Sequence, residues 1–239
     1  MPDSLIRMFA AAAILIVLGI GFGLLRREQF SIRWLLVGAG LAFLNDCALT
    51  NGYGVLPDMF RGSGWNWQGK LLALALTLAV ASHPAFGWRR SGLTLVQNMA
   101  GWKVTYAVAA IVCLVFIGFA ISMPNEPLDH QTLAFQLTMP GLEEEPFYRG
   151  ILLLAFNEAL RGRIRMLGIE LGWGALLSCV AFGLGHAFDY SHGAWSFDPM
   201  TMALTALPAF ILVWLRERTG SLVLPVLLHN FGNSIFLVL

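Results

Sequence analysis

The run Met8-Phe9-Ala10-Ala11-Ala12-Ala13-Ile14-Leu15-Ile16-Val17-Leu18-Gly19-Ile20-Gly21-Phe22-Gly23-Leu24-Leu25 carries no charged or hydrogen-bonding side chain, and it is bounded by Arg7 and by Arg26-Arg27. An unbroken apolar run near ~20 residues matches the hydrocarbon thickness of a bilayer. A basic residue ahead of such a run can also open a secretory signal, but no small-residue cleavage pattern follows, so the run reads as a retained membrane helix over 5–25. Comparable runs recur to the last residue. They predict further helices at 34–49, 70–86, 104–123, about 143–160, 169–188, 201–215 and 221–239, the fifth and seventh short for a full span. The expected fold is all-α, a polytopic integral membrane bundle of about eight transmembrane helices.

Composition agrees. Hydrophobic residues make up 57% and charged residues 12%, with a mean hydropathy of +0.70, whereas a soluble domain carries roughly a quarter charged residues. A length of 239 residues suits one membrane domain over 1–239, with N-terminal helices in 1–125 and a core in 141–239. The net charge of +1 argues against nucleic acid as a partner and leaves the lipid bilayer as the expected one. Cys47, Cys113 and Cys179 fall singly in apolar segments and read as small buried hydrophobes. Residues 50–69, rich in Gly, Asn and Trp, read as an interfacial connection. Pro124-Asn125-Glu126-Pro127 reads as a helix break. Residues 128–139 read as a short interfacial helix ended by Pro140-Gly141.

Basic residues sort between alternate loops. Arg26, Arg27, Arg33, Arg89, Arg90, Lys103, Arg161, Arg163, Arg165, Arg216 and Arg218 follow the first, third, fifth and seventh helices, while Arg7, Arg61 and Lys70 lie on the other side. The positive-inside rule places the larger set in the cytoplasm and both termini outside.

Against this apolar background the stretch Glu143-Glu144-Glu145-Pro146-Phe147-Tyr148-Arg149 stands out, three acids followed four residues later by an arginine that abuts the apolar run at 150–159. Ionisable groups beside membrane-length apolar sequence are costly and mark function by default. Glu145 and Arg149 are spaced to pair on one helical face, with Glu144 about 100° away. By itself the stretch also reads as an acidic helix start, favoured by the helix dipole, with Pro146 tolerated in a first turn that needs no N–H. Phe182-Gly183-Leu184-Gly185-His186 pairs Phe182 and His186 on one face, and its glycines permit close helix packing. His229-Asn230-Phe231-Gly232-Asn233 pairs His229 with Asn233. Either histidine alone also reads as an interhelical hydrogen bond. Together, two Glu, one Arg, two His and one Asn supply a base, an orienting cation and oxyanion donors, the parts that hydrolysis needs. Asn45 and Asp46 read as paired within the bundle or lining the same cavity, and Asp189, His192 and Asp198 as solvated.

Glu144-Glu145-xxx-Arg149, Phe182-xxx-His186 and His229-xxx-Asn233, in this order, resemble the type II CAAX prenyl endopeptidase and bacteriocin-processing (CPBP, Abi-like) intramembrane protease family. The resemblance covers mainly 141–239, including Thr219-Gly220-Ser221-Leu222. In the other half, Trp65-Asn66-Trp67-Gln68-Gly69-Lys70 is similar to a tract of some bacterial members. The resemblance implies a multi-pass protease of a bacterial inner or plasma membrane that hydrolyses a membrane-associated peptide or protein. Glu144 would activate water, Glu145 would hold Arg149, His186 would position the water or a metal, and His229 with Asn233 would stabilise the oxyanion. The residues alone leave either glutamate free to be the base. A zinc ion on Glu144, His186 and His229 is an alternative to a metal-free site, although no HExxH helix is present. A catalytically silent immunity or scaffold protein of this fold and a proton-coupled transporter are the competing readings. Serine and GxGD aspartyl intramembrane mechanisms find no matching motif.

Overall fold

The computed structural model describes residues 2–50, 52, 57, 59–123 and 129–239. Helices α1 (Asp3–Leu25) and α2 (Ile32–Thr50) are followed by α3 (Trp67–Ser82), α4 (Trp102–Ser122) and the short α5 (His130–Gln136). Next comes an unbroken helical rod in three pieces: α6 (Met139–Glu144), a π-helical segment (Glu145–Leu152) and α7 (Leu153–Ala159). Strands β1 (Arg163–Met166) and β2 (Ile169–Gly172) form a hairpin, α8 (Trp173–Ala187) leads into a second hairpin of β3 (Phe188–Ser191) and β4 (Ala194–Phe197), and α9 (Pro199–Thr219) and α10 (Val223–Ile235) complete the described chain. The expected break at 124–127 lies outside the described residues.

Four helices, α1, α2, α4 and α9, are long and apolar enough to cross a membrane, and α3 and α8 are apolar but shorter. Val17, Leu25, Leu114, Ile121, Leu204 and Leu207 point outward and are at least 66% exposed. A water-facing surface of that kind would be a large apolar patch, whereas lipid tails accept it without penalty. The chain is an integral membrane protein.

The rod is its centre. Ile151, Leu152, Ala155, Phe156 and Ala159 are completely buried, as a helix apolar on all sides should be. Helices α2, α3, α8 and α10 pack around it. Gly183 lets α8 approach α9, because a Cβ there would stand 2.5 Å from Met202 Sδ.

Three local expectations are corrected. The segment 169–188 is not one helix: its first four residues are strand β2, turned back on β1 by Leu167-Gly168 with φ of 53° and 78°. Two successive residues at positive φ make the tight hairpin turn whose twist suits antiparallel strands. Pro140-Gly141 does not end the α5 region but opens the rod, with Pro140 in the first turn of α6. Pro146 therefore lies inside the rod rather than in its first turn, within the π segment. Of the loop residues, Asp198 caps α9 by accepting hydrogen bonds from the backbone N–H groups of Met200 and Thr201. Bonds from the Thr201 hydroxyl and N–H hold its carboxyl below the usual carboxylate range.

Candidate active site

The three acids sit one turn into the rod, inside the bundle. Glu143 and Glu145 are fully buried, while the Glu144 side chain is 12% exposed. Glu143 does not face water at the start of a helix. Instead Lys70 Nζ, from the first turn of α3, lies 2.7 Å from its Oε2, and Asn45 Nδ2, from α2, lies 3.3 Å from its Oε1. The acids were misplaced because the rod begins four residues before them, at Met139. The same Lys70 ammonium stands 2.5 Å from Glu144 Oε1.

Glu145 Oε1 holds two partners, Arg149 Nη1 at 3.1 Å and His229 Nδ1 at 2.6 Å. Arg149 is buried to 1% exposure, with its guanidinium carbon 4.1 Å from the Phe182 ring centre. A buried guanidinium is tolerated when a carboxylate and an aromatic face both compensate it. A carboxylate only accepts, so the short contact to Glu145 puts a proton on His229 Nδ1 and, in the neutral ring, leaves Nε2 as an acceptor. That nitrogen faces Glu144 Oε2 at 3.6 Å. Glu144 Oε2 is buried and has no hydrogen-bond partner.

His186 closes α8. Its Nδ1 lies 2.9 Å from the Phe182 carbonyl, which again fixes the proton on Nδ1 and frees Nε2. Its ring lies 4.6 Å from that of Phe182, and the Phe182 ring lies 6.1 Å from that of His229. Phe182 is thus the shared wall behind Arg149, His186 and His229. Asn233, one turn past His229, is exposed and without a hydrogen-bond partner among the described residues. Asp46 pairs with Arg7 at 3.5 Å. The two line a cavity of about 20 Å³ beside Tyr148 and Gly185, room for about one water molecule.

The helices therefore bring together Glu144, Glu145, Arg149 and His229 in direct contact, set His186 against the same aromatic wall, and leave Asn233 open. Lys70 and Glu143 were missed as members of the constellation. The legible signal was a lone cation at the head of an otherwise apolar helix. Among the described residues no three His, Cys, Asp or Glu side chains group as metal ligands. Lys70 already engages Glu143 and Glu144, and His229 Nδ1 and Arg149 engage Glu145.

Six residues named from the motifs, Glu144, Glu145, Arg149, His186, His229 and Asn233, all fall within 127–235, the region that matches a family model. Among curated proteins and among solved structures, none matches the chain significantly. Residues 127–235 match the model of a known family, the type II CAAX prenyl endopeptidase Rce1-like proteins, to which this part of the chain is similar.

Proposed function

We propose that the protein is an intramembrane endopeptidase that cleaves a membrane-associated peptide or protein with a water activated by Glu144. The observation that carries the reading is the pair Glu144 Oε2 and His229 Nε2, two acceptors 3.6 Å apart with the carboxylate oxygen otherwise unpartnered. A water molecule, with two protons to donate, is the natural occupant between two acceptors. Glu144 is favoured over Glu145 as the base because its side chain is 12% exposed, against complete burial for Glu145.

In the proposed reaction the water oxygen bonds to the scissile carbonyl carbon as its proton passes to Glu144 Oε2. The carbonyl π electrons move onto oxygen, and the Asn233 amide, free to donate, stabilises that charge. Glu144 then returns the proton to the amide nitrogen, the C–N bond breaks, and an acid and an amine leave. Glu145 acts through others: it holds His229 in the tautomer that presents Nε2, and Arg149 pairs with Glu145. His186 borders the site across the same Phe182 ring. No step is routed through a metal, and zinc remains a competing proposal that added chelator tests.

The family description names CAAX prenyl endopeptidases, so a prenylated carboxy-terminal peptide is one substrate class. An exported peptide or membrane-anchored tail is the other. Comparison of membranes carrying the wild-type chain or Glu144→Ala, at equal protein level, tests the function. A precursor should accumulate with Glu144→Ala, and unchanged processing by that variant would sink the proposal. A binding-only scaffold predicts unchanged function, and a transporter predicts altered solute uptake with no precursor.

A further inference from the structure

The tract Trp65-Asn66-Trp67-Gln68-Gly69-Lys70 lies outside the family match, yet it builds one side of the site. Each residue in it is engaged. Trp65 donates its indole N–H to Thr132 Oγ1 at 2.9 Å and stacks on Phe135 at 4.7 Å, while Trp67 meets the same Phe135 edge-on at 5.1 Å. Asn66 caps α3 by accepting from the Gly69 N–H at 2.9 Å and donates to the Leu49 carbonyl at 2.8 Å. Gln68 is buried and accepts from the Met59 N–H at 2.9 Å. A Cβ at Gly69 would stand 2.5 Å from Asn66 Oδ1 and 2.7 Å from the Leu49 carbonyl oxygen, so only glycine allows the head of α3 to seat this closely on the end of α2. The sum of these contacts fixes where the next residue, Lys70, emerges.

We propose that Lys70 is a positioning residue for the reaction, seated by this tract so that its ammonium clamps Glu144 Oε1 and leaves Oε2 turned to His229. The proposal rests on the proposed function for its catalytic meaning and on the two Lys70 ion pairs for its geometry. Glu143 is the other half of the clamp. Bound to Lys70 at 2.7 Å and to Asn45 at 3.3 Å, it keeps the ammonium from swinging away. Lysine suits this post: an ammonium offers separate donors to two different carboxylates, whereas a guanidinium favours one carboxylate bidentately. The clamp also offsets all but one of the charges on the acids. Three adjacent carboxylates, Glu143 to Glu145, meet two cations, Lys70 and Arg149, at a depth where uncompensated charge is strongly disfavoured.

The test uses full-length protein in its membrane with four variants, Lys70→Met, Glu143→Gln, Lys70→Met with Glu143→Gln, and Glu144→Ala, against wild type. The processing rate of the precursor that accumulates with Glu144→Ala is followed by pulse–chase. Lys70→Met, present at wild-type level, should slow processing by about 10–100-fold, the scale of a misplaced reacting group. Glu143→Gln added to it should restore at least about fivefold, because the crowding carboxylate is gone. A merely structural lysine would give no such second-site recovery. Wild-type rates in Lys70→Met, or a double variant no faster than the single one, overturn the proposal. Should no precursor accumulate with Glu144→Ala, the endopeptidase reading fails first, and the apparent melting temperatures of the same set in detergent then decide the clamp. Coupled losses from Lys70→Met and Glu143→Gln support it, and strictly additive losses refute it.

Discussion

Two asparagines one turn apart in α10 show how finely duties divide at the level of single side chains. Asn230 is buried: its Oδ1 accepts from the Gly141 N–H at 2.7 Å and its Nδ2 donates to the Thr138 carbonyl at 3.1 Å. It therefore satisfies the opening turn of the rod and holds the acids at their depth. Gly141 is required there, since a Cβ would meet Asn230 Oδ1 at 2.5 Å. Asn233 is exposed and unpartnered among the described residues, so its amide is free to donate to the oxyanion of the proposed reaction. The two truncations should separate cleanly. Asn230→Ala should destabilise by about 1–3 kcal/mol, the cost of stranding buried polar partners, and should be seen as a lower melting temperature. Asn233→Ala should leave the melt unchanged but slow precursor processing by about 10²–10³-fold, as loss of an oxyanion donor does. Equal effects of both on the melt would remove the case for Asn233 as a donor.

Among the elements, the π segment Glu145–Leu152 is the one that shapes the site. Pro146 has no N–H to give to a carbonyl one α-turn back, and its ring crowds that carbonyl. Winding to the wider i→i+5 register relieves both, and such segments gather at functional sites. The wider turn also sets the phase between Glu143-Glu144, in α6, and Arg149 further along the rod. Pro146→Ala would permit ordinary α winding. Processing should fall at least about tenfold with the melting temperature equal or higher, and undiminished processing would show that the register is not used. This element also marks where sequence reading stops. Hydropathy could find α1, α2 and α4, since a lipid-facing helix is apolar by necessity. It could not see a π register, which changes hydrogen bonding and not composition, or the Leu167-Gly168 hairpin turn, where a leucine takes a conformation usually left to glycine. At the site, Glu145–Arg149 and Phe182–His186 were readable because helical spacing makes them neighbours. Lys70 was not, because its carboxylate partners lie 73 and 74 residues away.

Over the whole molecule, charge separates by end. Arg90 pairs with Glu158 at 2.7 Å and its carbonyl accepts from Arg216. The Arg161 N–H reaches the Gln29 carbonyl at 3.0 Å, and Arg218 donates to Thr105 Oγ1 at 3.0 Å. The loops after α1, α3, α7 and α9, which hold most of the basic residues, thus meet at one end of the bundle. The rod runs from there to the other end, where the three acids, Lys70 and the two histidines gather. We propose that the shorter helices cross the membrane with the longer ones, so that basic residues retained in the cytoplasm turn the site toward the outer face. The two hairpins report on this independently, because they flank opposite ends of α8: β1–β2 precedes it at the basic end, and β3–β4 follows His186 at the other. In a background with Cys47, Cys113 and Cys179 replaced by alanine, a membrane-impermeant thiol reagent should label Ala194→Cys in intact cells. Arg165→Cys should label only after permeabilisation. The reverse pattern would turn the site to the cytoplasm, and its substrate would then have to be a cytoplasmic tail instead of an exported peptide.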